Sequence, residues 1–124
     1  MIDTFVLVVD DNPETLHLLA AALESEGIRV RTASGVFRAL ELLHDGSPLP
    51  ALIITDLMMP QTSGWDFLKH LRGEASLKAV PVMVITGAEP GEIEGLADQV
   101  LQKPIDPIQM ADSVRALLAR SANA

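Results

Sequence analysis

The chain has 124 residues, of which 48% are hydrophobic, contains no cysteine and carries a formal net charge of −8. This size fits one domain over residues 1–124 with a single buried core, and the absence of cysteine excludes disulfides and thiolate metal sites. The acidic balance argues against direct nucleic-acid binding, because the chain has no basic stripe to neutralise phosphates.

The first strand and the first helix are predicted from the start of the chain. Residues 5–9 are apolar and indicate a strand. Asn12 suits the N-cap of a helix and Pro13 its first residue, since proline has no amide hydrogen to satisfy there. Leucines and alanines then recur at helical spacing, and Gly27 is expected to close the helix.

The next stretch predicts an edge strand, a helix and a central strand. Residues 28–32 alternate as a short strand whose arginines face outward, which is typical of a sheet edge. Ser34 is expected to cap the second helix. After a turn-rich loop, the apolar residues 51–55 predict a strand that is buried on both faces, as in a parallel sheet.

The second half of the chain continues the alternation. Residues 64–72 predict a third helix, and residues 80–85 predict a fourth buried strand. Residues 99–103 indicate a shorter fifth strand, a last helix with one apolar stripe begins at residues 106–107, and the tail at residues 121–124 is expected to be frayed. Alternating strands and helices imply right-handed crossovers and therefore an α/β fold with a parallel sheet.

Three acids follow two of the predicted strands directly. Asp10 and Asp11 end the first strand, and Asp56 ends the third. The carboxyl ends of parallel strands form the edge at which open α/β folds keep their chemistry. Carboxylates about 4 Å apart repel by roughly 4 kcal/mol at an effective dielectric constant near 20. A site that tolerates this repulsion usually holds a cation.

Four short motifs end the predicted strands and carry a resemblance to a known family. They are Val-Val-Asp-Asp at residues 8–11, Thr-Asp-Leu-Met-Met-Pro at residues 55–60 with Gly64, Thr-Gly-Ala at residues 86–88, and Lys-Pro at residues 103–104. Together they resemble the signatures of response regulator receiver domains of the chemotaxis-regulator type, the phospho-accepting modules of bacterial two-component systems. Each motif is weak alone, but all four occur in family order, and the flanking helices extend the match over nearly the whole chain.

The resemblance implies the details of the fold. It supplies a doubly wound, five-stranded parallel sheet in the order 2-1-3-4-5, flanked by helices, as in the flavodoxin-like receiver fold. The switch point of this order falls between strands one and three. We therefore expect Asp10, Asp11 and Asp56 to surround one crevice.

The resemblance also implies which residues accept the phosphoryl group and hold the metal. Asp56 becomes an acyl phosphate, because a carboxylate can act as the nucleophile toward phosphorus. Asp11, Asp56 and the backbone carbonyl of Met58 bind Mg²⁺, which spreads charge off the transferring oxygens. Asp10 binds the same ion or orients its water.

Two further residues complete the expected site by resemblance. Lys103 pairs first with Asp56 and then with a phosphoryl oxygen, and a cis bond to Pro104 aims it. Thr86 donates its hydroxyl to a phosphoryl oxygen. Without the motif context, surface exposure would explain a strand-end lysine about equally well, and β-propensity is the more frequent reason for a strand-end threonine.

The sequence departs from the family pattern at the usual output face. Val100 occupies a position, three before the lysine, where most receivers have an aromatic ring that changes rotamer. The segment between Thr86 and Lys103 is shorter than usual by about a helical turn. Residues 89–95 contain two glycines and a proline, so the fourth helix is expected to be shortened. Recognition is then expected to use the first or the last helix.

Three other classes of protein compete with a phosphorylated receiver. A receiver-like interaction module would keep the acids without being phosphorylated. An aspartate-based phosphatase needs a second acid two residues after the nucleophile, where this chain has Met58. A flavodoxin-like cofactor binder needs a neutral phosphate cradle after strand one, where Asp10 and Asp11 would repel phosphate.

The expected partner is a sensor histidine kinase or a histidine phosphotransfer protein. We expect a cytoplasmic monomer or weak dimer without turnover on external substrates, either a stand-alone regulator or part of a longer chain. The apolar runs are too short for a membrane span, and no signal peptide is apparent. The three histidines, His17, His44 and His70, are expected on helices or helix ends away from the crevice, so none of them is expected to act as a ligand.

Overall fold

The computed structural model describes residues 4–46, 48–57, 64–87 and 96–122. Five strands and four helices lie in these ranges. In chain order they are β1 (Val6–Val9), α1 (Pro13–Glu24), β2 (Val30–Ala33), α2 (Val36–His44), β3 (Leu52–Thr55), α3 (Gly64–Gly73), β4 (Val82–Thr86), β5 (Gln99–Gln102) and α4 (Pro107–Ala122). None of the helices within the described residues is long and apolar enough to cross a membrane.

The strands form one parallel sheet in the order β2-β1-β3-β4-β5, which confirms the expected topology. In the register of the two central strands, Val9 lies opposite Thr55. The residues that follow them, Asp10 and Asp56, therefore leave the sheet side by side. This register brings two of the three acids to the same edge.

Both faces of the sheet are covered by helices. Alternate residues of the strands, such as Leu7 and Ile53, pack against α2 and α3. The residues between them, such as Val8 and Ile54, pack against α1 and α4. Side chains of β1, β3 and β4 are buried throughout, which explains why these strands are almost continuously apolar.

Several boundaries differ from the predictions. The prediction that Ser34 caps α2 is wrong: the carbonyl of Gly35 accepts the first helical bond, from the Ala39 amide at 3.1 Å, and no side chain caps this end. The second strand begins at Val30 and not at Ile28, because the Ile28 amide still bonds to the Leu23 carbonyl in the turn after α1. The last helix runs to Ala122, and the expected fraying of residues 121–124 stays a prediction.

Other boundary predictions are confirmed. Oδ1 of Asn12 accepts hydrogen bonds from the amides of Glu14 and Thr15 at 2.9 and 3.2 Å, and Pro13 is the first residue of α1. Gly27 takes a φ of 80°, the left-handed conformation that glycine adopts without strain after a helix. The predicted shortened helix at residues 89–95 lies outside the described residues.

Candidate functional site

The carboxyl edge of the sheet carries an open cleft of about 510 Å³. It is lined by Asp10, Asp11, Asn12, Thr15, Asp56, Gly87 and Lys103. Four of the side chains expected at the site are therefore brought together, from the ends of β1, β3 and β5. Three of the four are carboxylates, and Lys103 is the one cation among the described residues that line the cleft.

Asp10 is the most enclosed of the three acids. Its side chain is only 3% exposed, and its Oδ1 accepts a hydrogen bond from the Asn12 amide at 2.9 Å. Burial raises the pKa of Asp10 above its usual value, although the Asn12 amide and the charge of Lys103 act in the opposite direction. The negative charge of Asp56 adds to the rise. A charged Asp10 therefore requires a positive neighbour.

Lys103 forms the direct ion pair of the cleft. Its Nζ donates a hydrogen bond to Oδ2 of Asp56 at 2.7 Å, and the Asp56 side chain is only 5% exposed. Burial lowers the pKa of Lys103, but the hydrogen bond and charge of Asp56, with the charges of Asp10 and Asp11, outweigh it and raise the pKa overall. The ammonium is thus held in its charged form beside the carboxylate.

The backbone fixes where this lysine starts. The Lys103 amide donates to the carbonyl of Thr86 at 2.9 Å, which continues the β4–β5 pairing by one residue. The Lys103–Pro104 peptide bond is cis, as the resemblance implied. The side chain of Lys103 reaches from the end of β5 to Asp56 at the end of β3.

Thr86, another of the expected site residues, is not among the residues that line the cleft. Thr86 is fully buried at the end of β4, and its neighbour Gly87 lines the cleft in its stead. The role of the Thr86 hydroxyl stays a prediction. Met58, whose carbonyl was expected to bind the metal, lies outside the described residues.

Sequence reasoning missed part of the cleft wall. Thr15 lines the cleft from the first turn of α1, and Asn12, which was recognised only as a cap, also fixes Asp10. The position of Thr15 was a usable signal, because the predicted Asn12 cap places it in the first turn of a helix that starts next to the acids at the end of β1.

The structure explains why a glycine is needed at position 64. Its amide donates to the Leu57 carbonyl at 3.0 Å, where the chain returns to the end of β3. A Cβ atom at Gly64 would collide with the Asp56 carbonyl oxygen and the Leu57 Cα. Only glycine permits this approach, so Gly64 controls the backbone next to Asp56.

The donor set of the cleft suits a hard divalent cation. Carboxylate oxygens are the ligands that Mg²⁺ prefers, and Asp10, Asp11 and Asp56 present them within one cleft. A single ammonium group cannot balance three carboxylates. Binding of Mg²⁺ would supply the missing positive charge.

Comparison with known proteins decides the family. The family described as "response regulator receiver domain" matches residues 6–115. The chain belongs to this family. Response regulator receivers are modules of two-component signal transduction, and the doubly wound sheet and the acid cleft have the arrangement expected of them.

Individual relatives agree with this assignment. Response regulator Rre1 of Synechocystis sp. is 39% identical over 93% of this chain, which spans about half, 52%, of that relative. A response regulator receiver protein from Pseudomonas putida is 30% identical with a TM-score of 0.84, covering 94% of this chain and 98% of the other. The response regulator TrrA of Thermotoga maritima, solved in complex with Mg²⁺–BeF, is 26% identical with a TM-score of 0.80, covering 92% and 98%.

Proposed function

We propose that this receiver takes a phosphoryl group from a phosphohistidine donor onto Asp56, with Mg²⁺, and thereby switches the binding of a partner. The observation that carries the proposal is the Asp56 carboxylate, nearly buried beside Asp10 and Asp11 and hydrogen-bonded to Lys103 at 2.7 Å. Neither a structural ion pair nor a solubilising surface requires three acids in one cleft.

The transfer itself is a displacement at phosphorus. A carboxylate oxygen of Asp56 forms a bond to phosphorus, the bond to the donor's imidazole nitrogen breaks, and that nitrogen keeps the electron pair. Lys103 is already within hydrogen-bond distance of Asp56, so it can pass from the carboxylate to a phosphoryl oxygen with little movement. We assign Thr86 as a second donor to the phosphoryl oxygens.

Mg²⁺ would be held by Asp11, Asp56 and the carbonyl of Met58, with Asp10 beside it. When bound, it neutralises charge on the carboxylate and phosphoryl oxygens. Asp10 and Asp11 would help to hold and orient the ion. Only Asp56 would attack the phosphorus atom. We propose no turnover on an external substrate, because the phosphoryl group stays on the chain.

The partner is proposed to be a sensor histidine kinase or a histidine phosphotransfer protein, which would place this receiver in the cytoplasm. A largely apolar groove of about 280 Å³ adjoins the cleft, between α1 and the segment that joins β5 to α4. Leu18 lines this groove and is 68% exposed. Lys103 and Thr15 line both the groove and the cleft. A helix packed here would hold its phosphohistidine over Asp56.

The proposal is tested by intact mass after incubation with a small phosphodonor. One added phosphoryl group is expected in Mg²⁺ and none in EDTA, because the uncompensated acids repel the donor. Asp56→Asn should remain unlabelled, whereas Asp66→Asn, an exposed acid in the first turn of α3, should be labelled like the wild type. Labelling that persists in EDTA or in Asp56→Asn would contradict the proposal, and no labelling at all would favour the interaction module.

A further inference from the structure

A second cluster of metal-binding side chains lies at the opposite edge of the sheet. His44 ends α2, His70 lies in the last turn of α3, and Glu74 follows that helix. Both helices run back from the carboxyl edge before β3 and β4 begin, so their last residues lie at the amino edge of the sheet. The cluster is therefore remote from the acid cleft.

The three side chains are close enough to share one ion. Nε2 of His44 lies 2.9 Å from both carboxylate oxygens of Glu74, and Nε2 of His70 lies 3.3 Å from Oε1. One ligand atom from each of the three residues lies within 4.8 Å of the others. Tetrahedral zinc with ligands at 2.0–2.1 Å separates its ligand atoms by about 3.3–3.4 Å. Only small side-chain adjustments are needed to admit the ion.

The hydrogen bonds behind the cluster orient it for binding. Nδ1 of His44 lies 2.8 Å from the Leu40 carbonyl, which can only accept, so Nδ1 carries the hydrogen and donates it. The neutral ring therefore directs the lone pair of Nε2 at Glu74. The Ser76 hydroxyl donates to Oε2 of Glu74 at 2.9 Å. Metal-binding histidines and carboxylates are typically held in this way.

The His44 ring nitrogen and the Glu74 carboxylate, which face each other, need a cation between them. A lone pair on Nε2 and a carboxylate oxygen repel at 2.9 Å, so either a proton or a metal ion must lie there. The carboxyl ends of α2 and α3 also meet at this place, and their dipoles favour positive charge. The imidazole rings of His44 and His70 lie edge to face, with centroids 6.0 Å apart, so both Nε2 atoms reach the same carboxylate.

We infer that His44, His70 and Glu74 form a zinc-binding site that links α2 to the end of α3. Two imidazoles and one carboxylate suit zinc and its neighbours among the late transition metals, whereas Mg²⁺ and Ca²⁺ prefer oxygen ligands alone. Three protein ligands leave a fourth position for water or for a group from another molecule. The side chains are 45%, 43% and 29% exposed, which leaves the site accessible to solvent.

The test is a calorimetric titration of the whole chain with Zn²⁺ in excess Mg²⁺, which occupies the acid cleft. One zinc ion should bind per chain. Loss of a residue that only holds a ligand typically lowers metal affinity about 10- to 100-fold. Since His70 is itself a proposed ligand, His70→Ala should lower the zinc affinity at least about tenfold. The matched control is His17→Ala, because His17 is exposed on α1, on the other face of the sheet, and should bind as the wild type does.

A second readout does not depend on variants. Zinc should shift the imidazole NMR signals of His44 and His70 and leave those of His17 unchanged. Equal zinc affinity in the wild type and His70→Ala, or shifts at His17 alone, would overturn the proposal. So would binding that disappears in Asp56→Asn, since the ion would then lie in the acid cleft, and so would the absence of binding. None of these outcomes depends on phosphorylation of Asp56.

Discussion

At the scale of single residues, the cleft is governed by uncompensated charge. Asp10 is 3% exposed, and its pKa is raised by burial, with the nearby charge of Asp56 adding to the rise. Lys103 partly balances the group, but its side chain is 36% exposed, so solvent weakens its effect. Asp10, Asp11 and Asp56 line the same cleft, so their negative charges repel one another. The cleft is therefore arranged to gain stability from an added cation.

This imbalance predicts how Mg²⁺ changes thermal stability. At ten times its dissociation constant, Mg²⁺ should add about 1.4 kcal/mol to the free energy of unfolding by mass action. Asp11→Asn should raise the melting temperature of the metal-free protein, because it removes one repelling charge, and should weaken the response to Mg²⁺. Differential scanning calorimetry with and without EDTA measures both effects. A melting temperature that stays constant up to tens of millimolar Mg²⁺ would argue against a metal site in the cleft.

At the scale of elements, the connection from β3 to α3 determines where Asp56 lies. Gly64 starts α3 and donates a hydrogen bond through its amide to the Leu57 carbonyl, so the helix begins against the backbone that follows β3. Gly73 ends the same helix, and a Cβ atom there would meet nothing within 4 Å. A side chain is therefore excluded at Gly64 but can be accommodated at Gly73.

Alanine at each of these glycines should therefore have opposite effects. Gly64→Ala should lower the free energy of unfolding by about 1–3 kcal/mol, because the backbone must move to admit the methyl group. It should also slow phosphorylation by displacing Asp56. Gly73→Ala should be neutral or stabilise by up to about 1 kcal/mol, since alanine loses less conformational entropy. Urea denaturation of both variants checks this, and equal stability of the two would refute the assigned backbone contact.

Some of these features could be predicted from sequence and others could not. The strand-end acids, the parallel sheet and the Asn12 cap follow from local patterns, because each depends on neighbours along the chain. The cap of α2 was predicted wrongly, since a serine next to a glycine does not reveal which carbonyl accepts the first helical bond. The contact of His44 with Glu74 joins residues 30 apart, so no local period indicates it.

At the scale of the whole molecule, β5 limits how the proposed phosphorylation could be transmitted to a partner. Val100 is partly buried, lies opposite Val84 in the sheet register and packs against the core that α2 and α3 cover. Valine is small, has few rotamers and has no aromatic ring. It therefore cannot make the rotamer change that is expected of the ring at this position in most receivers. Movement of Thr86 should then couple weakly to β5, and the exposed groove beside α1 is the more favourable surface for recognition.

This account predicts where a phosphoryl mimic perturbs the protein. Beryllofluoride added with Mg²⁺ should shift amide NMR signals strongly beside Asp56 and Lys103 and moderately along α1. Signals at residues 96–102 should change less. Large shifts confined to residues 88–102, equal to those next to Asp56, would instead show that the output face usual in this family responds here.

The central claim is that Asp56 itself accepts the phosphoryl group, and reductive trapping tests it most directly. The protein is phosphorylated with a small phosphodonor in Mg²⁺ and treated with borohydride, which reduces an acyl phosphate to an alcohol and leaves free carboxylates intact. Peptide mapping should then find homoserine at position 56, with unmodified aspartate at positions 10 and 11. Homoserine at another position, or an unmodified Asp56 in protein that carries the phosphoryl mass, would contradict the account.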